Sequence, residues 1–146
     1  MAELIRQSLL FPMIQSVHII GLTILVGTIC LVDLRLLGVG MRRQDVGNLV
    51  SSLAPWTSGG LLTVLVTGPL LFGSDLPRYL NNPAFVLKML LLATALAGHF
   101  TFHRIALCGT KVTPARQKVA AVFSLILWSS VVLAGRAIAD FDIRPV

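Results

Sequence analysis

Apolar residues occupy four long stretches of the chain, and short polar connections separate them. A helix that crosses the hydrocarbon core of a membrane needs roughly 20 mostly apolar residues. Four segments meet this requirement, at about Phe11–Val32, Trp56–Gly73, Ala84–Leu107 and Lys118–Ala139. The pattern therefore predicts an all-α fold, an integral membrane antiparallel four-helix bundle that forms a single domain over residues 1–146.

Polar residues and prolines mark the points where these helices begin and bend. Asn82–Pro83 and Thr113–Pro114 each place a capping side chain before a proline, which is typical of a first helical turn. Pro69 follows Gly68, and we expect it to kink the second span near its end.

The connection between the first two spans carries a pattern of its own. Within residues 44–56 (QDVGNLVSSLAPW), four apolar residues recur at helical spacing and share one face: Val46, Leu49, Val50 and Leu53. Such a face is typical of a short helix lying in the membrane surface, and an ordinary polar loop fits the segment equally well.

The composition agrees with a membrane protein. Hydrophobic residues make up 55% of the chain and charged residues 12%, about half the charged fraction of a soluble domain. The net charge of +6 comes from basic residues between the apolar runs, without the interleaved aromatic residues that bind single-stranded nucleic acid. We expect the lipid bilayer as a partner, together with other membrane subunits or further copies of this chain, and no nucleic acid.

The distribution of Lys and Arg predicts the orientation, because short loops rich in these residues stay in the cytoplasm. The first and third loops are the basic ones, with Arg35, Arg42, Arg43, Arg104, Lys111, Arg116 and Lys118. We therefore expect loops one and three in the cytoplasm and both termini outside.

Ionisable side chains near the spans fall at two depths. With a helical rise of about 1.5 Å per residue, His18 lies about 22 Å from the level of Asp33, near the outer face. His99 lies only about 8 Å from the level of Arg104. The outer cluster holds His18, Lys88, Met89 and Arg136, and the inner cluster holds Asp33, Arg35, His99, His103 and Arg104.

Simple structural roles explain part of this set. Asp33, Arg35 and Arg104 are predicted to form a structural ion pair at the inner boundary, with protonated His103 as another partner for Asp33. Lys88 and Arg136 lie near enough to the outer face for their charged ends to reach water, and this anchoring role stands beside a cofactor-binding one.

Haem is the first candidate cofactor. A b-type haem in a membrane bundle takes two axial ligands from different helices, at nearly the same depth. His18 and His99 differ in depth by about 14 Å, so they do not form such a pair. The remaining routes are His18 with Met89, or ligands shared with another chain. The candidate cofactor-binding residues are His18, Met89, Lys88 and Arg136, although Met89 is more typical of a core filler.

A metal site and a quinone site are the other two candidates. His99 and His103 lie one turn apart on one helix face, the spacing of many zinc and copper sites, with Asp33 as a third ligand. The alternative is an interfacial His103 and a hydrogen-bonded His99. Histidine and carboxylate near a membrane face also suit proton exchange with a quinone head group. The sequence contains no motif of a soluble enzyme and gives no sign of catalytic activity of its own.

Four stretches carry a family resemblance: SVHIIGLTILVGTICLVDLRLLG from Ser16, NNPAFVLKMLLL from Asn81, FHR from Phe102 and LAGRAIA from Leu133. They resemble a largely uncharacterised family of small bacterial four-helix inner-membrane proteins. The resemblance implies a multi-pass protein of the bacterial inner membrane, so both termini would be periplasmic. In similar sequences His99 is often replaced by asparagine, which weakens the metal pair. More remotely, the layout is similar to copper-resistance membrane proteins and b-type cytochrome bundles.

These features favour one function over two others. The leading expectation is an accessory or electron-transfer subunit of a quinone- or cytochrome-linked redox system, with haem b as its candidate cofactor. The alternatives are a metal-handling or small-solute membrane protein and a purely structural subunit of a larger membrane complex.

Overall fold

The computed structural model describes residues 9–40, 43–74, 76–107 and 113–140, without the side chains of residues 78, 102–107, 139 and 140. These ranges are helical and contain no strand. The helices are α1 (Leu10–Leu37), α2 (Val46–Ser74), the short α3 (Leu76–Leu80), α4 (Pro83–Leu107) and α5 (Pro114–Asp140). The predicted all-α class is confirmed.

The four long helices are long and apolar enough to cross a membrane. Between 11% and 33% of the residues in each candidate span are buried within the protein, so most of the apolar surface faces outward. Outward-facing leucines, isoleucines and valines are what a helix surrounded by lipid requires. The four helices therefore fit a multi-pass membrane protein, as the hydropathy pattern predicted.

The second span begins earlier than the sequence pattern indicated. Residues 46–53 are helical, but they continue directly into the span as the first part of α2 and do not form a separate surface helix. Asp45 caps this helix, because its carboxylate accepts hydrogen bonds from the backbone N–H groups of Gly47 (3.0 Å) and Asn48 (3.4 Å). The helix then runs through Pro55 and Pro69.

The starts of α4 and α5 lie where the proline signals predicted. The side chain of Asn82 accepts a hydrogen bond from the N–H of Ala84 at 3.0 Å and so caps α4. Its amide also donates to the carbonyl of Ile138 at 3.2 Å. The first turn of α4 is thereby fixed to the last turns of α5, which makes these two helices antiparallel neighbours.

The chain divides into two compact units. The first unit, Met1–Val32 with Met41–Tyr79, contains most of α1 and all of α2. The second unit, Asp33–Gly40 with Leu80–Val146, contains the end of α1 together with α4 and α5. In the second unit α4 packs along α5, where Trp128 and Val131 are fully buried.

In the first unit, α1 and α2 approach until their backbones touch. A Cβ atom on Gly60 would lie 2.8 Å from the carbonyl oxygen of Gly21 and 2.8 Å from the backbone nitrogen of Leu25. A Cβ atom on Gly21 would lie 2.7 Å from Cγ2 of Thr63. Small residues allow such close helix contact in membranes, where packing rather than the hydrophobic effect drives association.

Hydroxyl groups on the exposed faces of the spans bond to their own helices. Each donates to the carbonyl one turn earlier, at 2.7 to 2.8 Å, as Ser16, Thr23, Thr94, Thr101 and Ser130 show. A hydroxyl that is already hydrogen-bonded costs much less in apolar surroundings than an unpaired one.

Candidate functional site

His18 on α1 contacts Thr67 on α2 within the first unit. The Nδ1 atom of His18 lies 2.7 Å from Oγ1 of Thr67. Thr67 in turn donates its hydroxyl hydrogen to the carbonyl of Thr63 at 2.6 Å. A hydroxyl has one hydrogen, so Thr67 accepts from His18 and the imidazole carries its hydrogen on Nδ1.

This arrangement is consistent with a hydrogen on Nδ1 of His18. In the neutral imidazole with hydrogen on Nδ1, the lone pair resides on Nε2. A histidine whose Nδ1–H is held by an acceptor is oriented for metal ligation or proton uptake through Nε2. A Cβ on Gly68 would lie 3.7 Å from Cε1 of His18, an ordinary contact distance, so the ring does not require glycine there.

A second polar contact joins the same two helices further along. Oγ1 of Thr57 lies 2.9 Å from Oγ1 of Thr28, and Thr28 donates to the carbonyl of Leu25 at 2.9 Å. Thr57 is therefore the donor between the two threonines. The His18–Thr67 and Thr28–Thr57 contacts pair ascending positions of α1 with descending positions of α2, so these helices are antiparallel.

An open apolar groove of about 530 Å³ runs along the surface of this helix pair. It is lined by Thr23, Ile24, Gly27, Thr28, Leu31, Leu53 and Trp56. Its walls offer hydrocarbon and almost no polar atoms, so it suits an acyl or isoprenoid chain rather than a polar substrate.

Asp33 is a buried acid of the second unit. Its side chain is 6% exposed, and Ser124 on α5 is a hydrogen-bonding partner of the carboxyl group. The Oδ2 atom is buried without a hydrogen-bond partner in the described part of the chain. Half-buried Arg35 lies two residues further along, and the side chain of Arg104 is outside the described residues. The predicted ion pair of these three residues stays a prediction.

The other residues of the predicted outer cluster lie on α4 and α5. Lys88 extends across Gly135, where a Cβ atom would lie 3.6 Å from Nζ. Arg136, the next residue of α5, is exposed. Met89 is 47% exposed, so it is not a core filler of this chain. The cofactor-binding roles of these three residues stay predictions.

The predicted metal ligands are only partly described. His99 is half-buried, and its ring meets the ring of Phe100 edge-on at 5.8 Å. The side chain of His103 lies outside the described residues. In the described part of the chain, no three His, Cys, Asp or Glu side chains gather into a group that could hold a metal ion. The set of His99, His103 and Asp33 stays a prediction.

Sequence reasoning singled out His18 and Asp33 but missed their partners. Nothing in the sequence distinguishes Thr28, Thr57 and Thr67 from the other threonines of the spans, or Ser124 from the other serines. One signal was readable for the first unit: His18, Gly21, Leu25 and Thr28 recur at helical spacing, which places polar and small residues on a single face of α1.

The four apolar helices fit the class of small multi-pass α-helical membrane proteins. Within that class, the chain belongs to a family of unknown function, DUF6644, whose model matches residues 8–141. This match is consistent with the resemblance to an uncharacterised family. No curated protein and no solved structure matches the chain. The remote likeness to copper-resistance proteins and b-type cytochromes stays a prediction.

Proposed function

We propose that the protein is a non-enzymatic accessory subunit of a quinone- or cytochrome-linked redox system, with His18 as its cofactor-binding residue and haem b as the cofactor. The observation that supports the proposal is the hydrogen bond between His18 Nδ1 and Thr67 Oγ1 at 2.7 Å. Because Thr67 commits its own hydrogen to Thr63, Nε2 of His18 is the nitrogen suited to ligation.

The chemistry of this histidine suits a residue that would bind haem iron. A metal-binding histidine usually donates its second ring N–H to an acceptor, which fixes the tautomer and the ring orientation. Thr67 provides that acceptor. Bound haem would supply one-electron chemistry, and this chain would orient the imidazole and keep water away through the apolar faces of α1 and α2. A second chain, from a partner subunit or another copy, would supply the other protein ligand.

The proposed location is the bacterial inner membrane, with loops one and three in the cytoplasm and both termini in the periplasm. The four apolar helices and the basic residues of the first and third loops support this orientation. In it, His18 lies towards the periplasmic face.

An absorption spectrum of the detergent-purified protein tests the proposed function. We expect a Soret band in the wild-type protein and its loss in His18→Ala, whereas His99→Ala keeps it. Equal spectra for His18→Ala and wild type would refute the role of His18. A colourless protein that carries metal would favour the metal-handling alternative.

The hydrogen bond to Thr67 gives a sharper test of the same site. Thr67→Val keeps the shape of the side chain and removes the acceptor, so we expect affinity for added haem b to fall by about 10- to 100-fold. Thr63→Val is the matched control, because the Thr63 hydroxyl donates its hydrogen to the carbonyl of Gly59. Haem titrations followed at the Soret band measure both variants, and equal affinities would contradict the proposal.

A purely structural role is the second candidate. The observation that favours it is the large outward-facing apolar surface of the four helices, which suits neighbouring subunits as well as lipid. Defined partner proteins that co-purify with a colourless, metal-free sample would support this alternative over the redox function.

A further inference from the structure

Asp33 is unusual among the charged residues of this protein. It is the one acidic residue in the four candidate spans, as the structure describes them, and its side chain is only 6% exposed. The Oδ2 atom has no hydrogen-bond partner among the described residues. A buried carboxylate oxygen without a partner is costly, because nothing replaces the water it has lost.

The described neighbours of Asp33 reduce this desolvation cost through one hydroxyl, Ser124, while Oδ2 stays without a hydrogen-bond partner among them. Ser124 provides a hydroxyl, which can donate one hydrogen to the carboxyl group. The other charged residues and histidines of α1, α4 and α5 are His18, Arg35, Lys88, His99, Arg116, Lys118 and Arg136, together with His103, Arg104 and Asp140, whose side chains lie outside the described residues. None of the described ones forms a hydrogen bond with Oδ2.

The small number of oxygen ligands favours a proton over a metal ion. Hard metal cations take six or more oxygen ligands. Among the described residues, Ser124 is the side-chain hydrogen-bonding partner of the Asp33 carboxyl group, and no group of His, Cys, Asp and Glu side chains could hold a metal ion. A proton needs a single oxygen. Its transfer from hydronium to Oδ2 yields a carboxylic acid and water, with no change of oxidation state.

We propose that Asp33 is a reversible proton-binding site in the membrane-spanning part of the second unit, with Ser124 as the residue that positions its carboxyl group. The Asp33 carboxyl group can take up and release a proton near the end of α1. Ionisable residues within membrane spans commonly serve proton transfer. The proposal does not depend on His18 or on a bound cofactor.

A hydrophobic carbodiimide tests the proposal, because the reagent enters membranes and reacts with carboxylic acids rather than carboxylates. Dicyclohexylcarbodiimide should add one reagent molecule to Asp33 of the purified protein, found by peptide mass spectrometry, and labelling should fall as the buffer becomes alkaline. Asp33→Asn keeps the shape of the side chain and should remove the label. Infrared spectra should also show a carbonyl band of a carboxylic acid in the wild type that Asp33→Asn lacks.

Ser124→Ala tests the positioning role. Ser124→Ala removes the hydroxyl that donates to the carboxylate, so a larger fraction of Asp33 is the carboxylic acid. We therefore expect labelling about tenfold faster in a buffer where the wild type reacts slowly. Ser130→Ala on the same helix is the matched control, because Ser130 donates to the carbonyl of Ile126. A rate equal to that of Ser130→Ala would exclude a positioning role for Ser124.

Two results would overturn the proton site. One is a wild-type protein with neither the label nor the acid carbonyl band. The other is protection of Asp33 by sodium ions at constant pH, which would identify a sodium site instead. Absence of haem in the same sample would leave the proton site standing, so its failure and the failure of the proposed function are distinguishable.

Discussion

At the scale of single residues, two side-chain hydrogen bonds join α1 and α2, and each depends on where a threonine hydroxyl donates its single hydrogen. Thr67 donates to its own helix and accepts from His18, whereas Thr57 donates its hydrogen across to Thr28. The sequence could identify His18 as a polar group in a span. It could not identify these threonines, because threonines that bond only to their own helix look the same in the sequence.

The Thr28–Thr57 contact should contribute modestly to stability. We expect a double-mutant cycle of Thr28→Val and Thr57→Val to give a coupling free energy of about 0.6 kcal/mol, typical of hydrogen bonds between helices in membranes. The free energy of unfolding in detergent micelles measures the cycle. Exposed Thr23, paired with Thr57 in the same way, is the control and should show no coupling. A zero coupling for Thr28 and Thr57 would mean that the contact is not formed.

At the scale of helices, hydropathy predicted the number of spans and proline signals predicted two starts. The start of α2 was missed, because residues 46–55 are polar enough to resemble a loop and their helix is set by the cap at Asp45. The small residues of α2 are suited to close helix contact, but the sequence could not show which of them meets α1. Gly59 and Gly60 are adjacent and identical, yet only Gly60 meets α1, which depends on how the helix is rotated in the fold.

This pair of glycines makes a matched experiment. Gly60→Ala would place a methyl group 2.8 Å from backbone atoms of α1, so we expect the free energy of unfolding to fall by about 1 to 3 kcal/mol. Gly59→Ala meets nothing within 4 Å and should be neutral or slightly stabilising, because alanine favours helix. Unfolding in detergent measures both, and equal effects would contradict the close crossing of α1 and α2.

At the scale of the whole molecule, the sequence predicted the number of candidate spans and the two basic loops. The structure of the described residues adds the helix packing within each unit. The composition alone favours a membrane protein. What composition cannot provide is the chemistry of half-buried His18 and buried Asp33. The hydrogen-bonding role of His18 and the environment of Oδ2 of Asp33 both depend on neighbours distant in the chain.

The orientation is testable by labelling. In a background without Cys30 and Cys108, a cysteine placed at Lys111 should react with a membrane-impermeant maleimide in inverted vesicles and not in intact spheroplasts, because loop three is basic. A cysteine at Ala2 is the control and should show the opposite pattern. Labelling of the Lys111 position only from the periplasmic side would invert the proposed topology.

The serine and threonine hydroxyls on the exposed faces, which hydrogen-bond to carbonyls of their own helix, bear on how each helix can enter the membrane. A segment whose serines and threonines are satisfied by its own carbonyls can leave the translocon for lipid before any later segment has been synthesised. Each crossing can thus be inserted singly, and lateral assembly needs to wait only for the few side chains that bond across helices.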